Sequence, residues 1–390
     1  MSGSLPKILY ISDVSAVNTT GGELVLFRLL ENYPGEVRII ESNLKENDVN
    51  KKLPVEYVKL RYPLSRLYKT RFTAVYNTLI YFLSYFIQKK LMKLIKDYRP
   101  DIILSVSHHL LYINAFKVAE KRKVPFICIH HDYFYHSVGL LQFAKKHLTR
   151  DFQQLYTKSK NLCVSEFLKE FYENKFGKTD AEILYPLQPL TREPPQINFY
   201  DKQKLTFGYL GSINTPGLIN DMIKFAHEIE TSGHKLILLS NITLNVLREN
   251  GLKTNNIVIG GWVEAKDLVE YIQKNIDILL LIQDMSKFSK QSVSTNFPSK
   301  LVDYTLTGLP IVIIGKEYSS GIKFAKANPE IFYTVEEIAS QQIKKLTDCS
   351  VDFNVRRKFG EKAYKFGKEN FANHIIKTKF YGFIKSYLNS

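Results

Sequence analysis

The sequence predicts two doubly wound α/β domains. Three observations carry that prediction: a length of 390 residues, short apolar runs alternating with longer amphipathic segments, and a proline-rich break near the middle. One ordinary core does not serve a chain of this length, and two domains of roughly 150 to 200 residues are the natural division. In the first half the strand-like runs are Ile8 to Ile11, Val37 to Ile40, Ile102 to Val106, Phe126 to His130 and Asn161 to Val164, with helical stretches after Gly22, Leu110 and Glu166. Pro100 and Pro125 each stand just before a strand, where a helix must already have ended. Pro186, Pro189, Pro194 and Pro195 then fall among polar residues, a composition that resists helix and central strand alike. A second series follows: Leu205 to Leu210, Lys235 to Leu239, Ile257 to Ile259, Ile276 to Ile282 and Pro310 to Ile314. From about Asn354 to Leu388, aromatic and aliphatic residues recur at helical spacing and predict a helix pair covering a core. The expected division is a first Rossmann-like domain over 1–188, a linker over 189–204, a second Rossmann-like domain over 205–370, and a terminal helix over 371–390 returning to the first domain. Two such domains are expected to face each other across a cleft bounded by the carboxyl ends of both sheets, where folds of this kind bind ligands.

Composition narrows the function. The 45% hydrophobic and 24% charged content is that of an ordered globular protein, which excludes long disordered tails. A formal charge of +16 predicts attraction for anions, whether nucleotides, anionic lipid headgroups or nucleic acid. Zinc-finger spacing and aromatic ribonucleoprotein signatures are absent, so nucleic acid is not expected. Cys128, Cys163 and Cys349 are widely spaced and form no Cys-x-x-Cys; together with an opening apolar run of only four residues they fit a cytoplasmic protein.

The most informative stretch runs Thr295-Asn296-Phe297-Pro298-Ser299-Lys300, then Asp303, then Gly308-Leu309-Pro310 ahead of a strand. Pro298 suits a first helical position, so Ser299 and Lys300 are expected to present backbone amides at a helix N-terminus that attracts phosphate. Lys300 adds a full positive charge for a leaving diphosphate, and Asp303 can accept hydrogen bonds from a ribose. Gly211 and Ser212 end an apolar strand, where glycine lets a backbone approach phosphate closely. Gly260-Gly261-Trp262-Val263 ends another, where Trp262 serves equally well as a core aromatic. Gly21-Gly22 follow the first strand, and His130-His131-Asp132 stand at a strand's carboxyl end. Of these His130 is expected to be buried structure, whereas His131 with Asp132 is chemically suited to take a proton from a hydroxyl; simple strand capping is the competing explanation.

Around Phe297 to Pro310 the chain resembles the nucleotide-binding segment of glycosyltransferase family 4 and related GT-B enzymes, which read Phe-Pro-Ser-Lys, then an acid, then Gly-x-Pro. The resemblance implies a glycosyltransferase that moves a hexose-type sugar from a UDP- or GDP-sugar co-substrate to a glycan or lipid-linked acceptor, without a further cofactor. It implies that Thr295, Phe297, Pro298, Ser299, Lys300, Asp303, Gly211, Ser212, Gly261, Trp262 and Val263 face the donor, Gly21 and Gly22 the acceptor and donor phosphate, and His131 and Asp132 the acceptor. The family usually carries two glutamates seven residues apart; here those positions hold Thr295 and Asp303, which leaves retaining and inverting routes both open. His108 and His109 with His130 and His131 raise the idea of a metal site, but no Asp-x-Asp occurs, and a metal-independent mechanism is expected. An epimerase or hydrolase of the same fold, or a nucleotide-sugar or glycan-binding protein without catalysis, would use the same donor residues.

The fifteen residues from Thr73 to Ile87 carry no charge and are flanked by lysines and arginines. They fall short of the roughly 20 residues that span a bilayer. The stretch reads either as a buried helix of the first domain or as a helix lying on an anionic membrane surface.

Overall fold

The computed structural model describes residues 5–19, 21–42, 49–134, 138–190, 197, 199–261, 263–264 and 267–388. The chain divides into two compact units, one of Met1–Leu187, Thr295–Phe297 and Asn373–Ser390, the other of Gln188–Ser294 and Pro298–Ala372.

In the first unit, strands β1 (Ile8–Ser12), β2 (Val37–Ser42), β3 (Glu56–Leu60), β4 (Ile102–Val106), β5 (Phe126–His130), β6 (Lys160–Cys163) and β7 (Glu182–Ile183) form one sheet in the order β3-β2-β1-β4-β5-β6-β7. Every pairing is parallel. Helices α1 (Gly21–Leu30), α2 (Thr73–Phe82), α3 (Ser84–Leu94), α4 (Leu111–Arg122), α5 (Gln142–Lys158) and α6 (Glu166–Phe176) make the connections. Both faces of the central strands are covered, so β1, β4 and β5 are buried at every residue and read as largely apolar runs.

The second unit repeats the plan. Strands β8 (Thr206–Leu210), β9 (Lys235–Leu239), β10 (Ile257–Ile259), β11 (Ile278–Ile282), β12 (Ile311–Ile314) and β13 (Tyr333–Val335) lie in the order β10-β9-β8-β11-β12-β13, again all parallel. Helices α7 (Pro216–Glu230), α8 (Leu244–Glu249), α9 (Leu268–Asn275), α10 (Lys290–Thr295), α11 (Lys300–Tyr304), α12 (Ser320–Ala327), α13 (Ser340–Ser350) and α14 (Phe353–Asn370) surround that sheet. Thr215 caps α7 by accepting from the Leu218 amide at 3.2 Å, with Pro216 at the first helical position.

The final helix, α15 (Asn373–Leu388), belongs to the first unit. Ile376, Phe380 and Ile384 repeat every four residues and lie fully buried in that unit's core, and Lys377 donates to the Glu31 carbonyl at 2.5 Å. The predicted helix pair is therefore α14 and α15, one in each unit. Three strands lacked a signal in the sequence: β3, β7 and β13 are edge strands, and their short or polar-interrupted sequences hide them.

α14 seats itself through glycines. A Cβ on Gly360 would overlap the Gly308 carbonyl, and one on Gly367 would overlap the Thr305 side chain. Gly382 in α15, by contrast, has nothing within 4 Å of an added Cβ. Gly360→Ala is expected to lower stability by about 3 kcal/mol, and Gly382→Ala to raise it by about 0.5–1 kcal/mol; thermal melts of the two variants check both signs.

Candidate functional site

Each sheet reverses strand order once, between β1 and β4 and between β8 and β11. Loops leaving the carboxyl ends of such a pair diverge and leave room for a ligand.

In the second unit β8 and β11 are registered only at Ile278↔Phe207 and Leu279↔Gly208. Past that point the hydroxyl of Tyr304 fills the fork: it accepts from the Leu210 amide at 2.9 Å and donates to the Leu280 carbonyl at 3.0 Å. Tyr304 ends α11, so this buried hydroxyl anchors the whole short helix over the parting strands. At the other end of α11, Lys300 lies over β8. Its ammonium stands 4.1 Å from the centroid of the Tyr209 ring and donates to the Tyr209 hydroxyl, which in turn donates to the Ser212 carbonyl at 3.2 Å. Gly211, at φ +110°, makes space for it, since a Cβ there would overlap the Lys300 side chain. Burial lowers the Lys300 pKa from 10.5 to about 8.

The structure thus brings Gly211, Ser212 and Lys300 together. Asp303 lies three residues on, part-exposed on the same helix. The helix that Lys300 opens is short. Leu301 and Val302 donate to the Pro298 and Ser299 carbonyls, at 2.8 and 3.2 Å, in tight i→i+3 turns. Ser299 is consequently the cap, Pro298 precedes it, and the α-helix has only five residues. Few aligned peptides make a small dipole, so the attraction for anions here rests on the Lys300 charge. Gly261, at φ +67°, and Val263 follow β10, two strands from β8 or about 10 Å across the sheet. Trp262 lies outside the described residues. Thr295 and Phe297 group with the first unit, where the Thr295 carbonyl accepts from Ser165 Oγ at 3.0 Å and the Phe297 ring centroid is 5.1 Å from that of Tyr185.

In the first unit, Gly21 and Gly22 open α1, and a Cβ on Gly22 would stand 3.1 Å from His131 Nδ1. Burial, and then repulsion from His108, lowers the His131 pKa to about 4. This imidazole is therefore neutral at physiological pH. Asp132 follows it, its backbone carbonyl accepting from the Tyr172 hydroxyl at 3.1 Å. His130 is fully buried between Ser107 Oγ and Asn161 Oδ1, each at 2.9 Å. Among the described residues no group of three or more His, Cys, Asp or Glu side chains is arranged to hold a metal.

Sequence reasoning missed Asp13, Tyr209 and Tyr304. Asp13 Oδ2 accepts from the Leu110 and Leu111 amides at 3.1 and 2.8 Å, tying the loop after β1 to the start of α4. Its only signal was a polar residue closing the first apolar run. A cavity of about 330 Å³ in the second unit, lined by Tyr200, Lys202, Asp277 and Arg356 among others, sits at the amino ends of β8 and β11, the opposite edge from Gly211. Its polar groups serve the fold: Lys202 bonds Asp277 at 2.7 Å, and Arg356 bonds the Tyr200, Ser350 and Val351 carbonyls.

Comparison with known proteins follows the same lines. Residues 48–186 match the family described as Glycosyltransferase Family 4. That match lies in the half whose motifs resembled the family only by position. No curated protein sequence matches the chain. Among solved structures, a glycosyltransferase from Rickettsia africae superposes with a TM-score of 0.68 at 14% identity, covering 98% of each chain. HepE from Anabaena in complex with UDP-glucose gives 0.64 at 13%, covering 98% of this chain and 100% of that one. The apo lipopolysaccharide outer core galactosyltransferase WaaB gives 0.62 at 15%, covering 98% and 99%. The fold is that of the GT-B glycosyltransferases.

Tyr304→Phe removes one hydroxyl and leaves a backbone donor and acceptor unsatisfied at the fork. It is expected to cost about 1–3 kcal/mol and, by loosening α11, to move the Lys300 pKa from about 8 back toward 10.5. Melting temperature and an NMR titration of the lysine side chain read the two effects.

Proposed function

We propose that the protein is a metal-independent glycosyltransferase that transfers a hexose-type sugar from a UDP- or GDP-sugar to a glycan or lipid-linked acceptor. The observation that carries this reading is Lys300 held over Gly211 and Tyr209 at the strand-order reversal of the second unit. A half-buried lysine beside a glycine turn is a built receptor for diphosphate, and the family match and the UDP-glucose complex of a structural neighbour support that choice of ligand. The acceptor oxygen forms the new bond to the anomeric carbon while the bond from that carbon to the diphosphate breaks. The departing electron pair goes to the diphosphate, where Lys300 offsets the charge. In an inverting route the hydroxyl proton passes to Asp132 or the neutral His131 of the first unit. In a retaining route the departing phosphate oxygen takes it.

A diphosphate binds the protonated form of Lys300, so affinity is expected to hold below about pH 8 and to fall as pH rises through that value. Isothermal titration of UDP and GDP from pH 6.5 to 10 measures it. Lys300→Ala should weaken binding by roughly tenfold to a hundredfold at neutral pH, the worth of a hydrogen bond to a charged group, and should flatten the pH dependence. A thermal-shift screen of nucleotides and nucleotide sugars tests the reading as a whole: no stabilisation by any of them would end it. Asp132→Asn should keep nucleotide affinity and, if the route is inverting with Asp132 as the base, lose transfer; NMR of the product's anomeric configuration decides the route independently.

A further inference from the structure

Large apolar side chains that face solvent gather on one side of the first unit. Phe72, Val75, Leu79, Phe82 and Phe86 recur at intervals of three and four residues through α2 and into α3, each between 41% and 65% exposed. The opposite face of α2, with Tyr76, Ile80 and Tyr81, already fills the core. The outward stripe is thus surplus to folding. Phe143 of α5, 58% exposed, stacks on Phe82 with ring centroids 6.0 Å apart and widens the stripe into a patch across two elements.

The rim is cationic. Arg71 lies 4.9 Å over the Phe72 ring and Lys89 4.6 Å over Tyr85, while Arg66, Lys69, Lys93 and Lys146 are exposed nearby in the chain. No acidic residue occurs from 57 to 96. Aromatic and aliphatic side chains rimmed by lysine and arginine match an anionic phospholipid surface, in which apolar groups enter the headgroup boundary and cations meet phosphates. A second copy of the same face would instead bring like charges together. Among the described residues no helix is long and apolar enough to cross a membrane, so the contact is with the surface.

We propose that the α2–α3–α5 face of the first unit docks on an anionic lipid bilayer. The segment entering that face also reaches the sheet's carboxyl edge, because the Tyr68 hydroxyl bonds His109 Nε2 at 2.7 Å and His109 packs on His108, which lowers the His131 pKa. Resting on the glycosyltransferase reading, this places the proton-accepting candidates close to where a lipid-linked acceptor would leave the membrane.

The test is flotation of the full chain with vesicles of phosphatidylcholine alone or mixed with phosphatidylglycerol, at low and high salt. Binding is expected to the mixed vesicles and to weaken at high salt. Phe72→Ser with Phe86→Ser should abolish it, and Lys69→Gln with Arg71→Gln should weaken it by about thirtyfold, both with unchanged melting temperature and unchanged nucleotide-induced thermal shift. No flotation at low salt, variants that float like the parent, or a dimer in sedimentation that the Phe72 and Phe86 changes dissociate would each overturn the proposal. A failed nucleotide shift with intact flotation would count against the donor reading alone.

Discussion

The arrangement of the second unit depends on one hydroxyl at the point where two strands part. β8 and β11 are registered only at Phe207 and Gly208, and the backbone groups exposed where they part beyond that point need partners or water. Tyr304 supplies both a donor and an acceptor to that fork from the end of α11. A five-residue helix has no stability of its own, since nucleation alone costs more than so few hydrogen bonds return. What fixes α11 is the Tyr304 anchor below it and the close approach of Gly360 and Gly367 of α14 to the segment that follows it. Lys300 is positioned by tertiary contacts, and its site is only as rigid as those contacts are.

Such positioning sets the lysine's charge state. Packing over Tyr209 and Gly211 removes water from the ammonium, and the pKa falls because the charged form loses more than the neutral one. The same desolvation strengthens any later attraction to an anion, which then restores the preference for the proton. Between about pH 8 and 10.5 the folded protein holds this proton less tightly than the unfolded chain does, so by linkage the ligand-free protein gains stability as pH climbs through that window.

The central strands could be read from the sequence because burial on both faces leaves little room for polar residues, which makes Ile278–Ile282 plain and admits within Ile102–Val106 only Ser105, whose hydroxyl donates to the Ile11 carbonyl. At the edges that constraint relaxes. β3 reads Glu-Tyr-Val-Lys-Leu and β13 only Tyr-Thr-Val, patterns that a loop shares. The division of Thr73 to Ile87 into two helices at Leu83, and the face each turns outward, depends on packing rather than on composition. Within the candidate site, Gly211 and Lys300 were recognisable by residue type and spacing. Tyr304 was not, because a tyrosine in an apolar stretch looks like core until the strands beneath it are seen to separate. Phe297 shows the converse: inside the most recognisable motif, its ring packs on Tyr185 in the first unit.

Both units use the same local device with opposite electrostatic results. A glycine after the first strand of each sheet opens space beside a basic side chain: Gly211 beside Lys300, Gly22 beside His131. Burial depresses both pKa values, but from different starting points, to about 8 for the lysine and about 4 for the histidine. Across the pH range of a cell the first therefore stays mostly cationic and the second neutral. In the transfer proposed above, the fixed positive charge would offset a departing anion. That asymmetry follows from the intrinsic basicity of the two side chains under similar burial, so it needs no further element of the fold to maintain it.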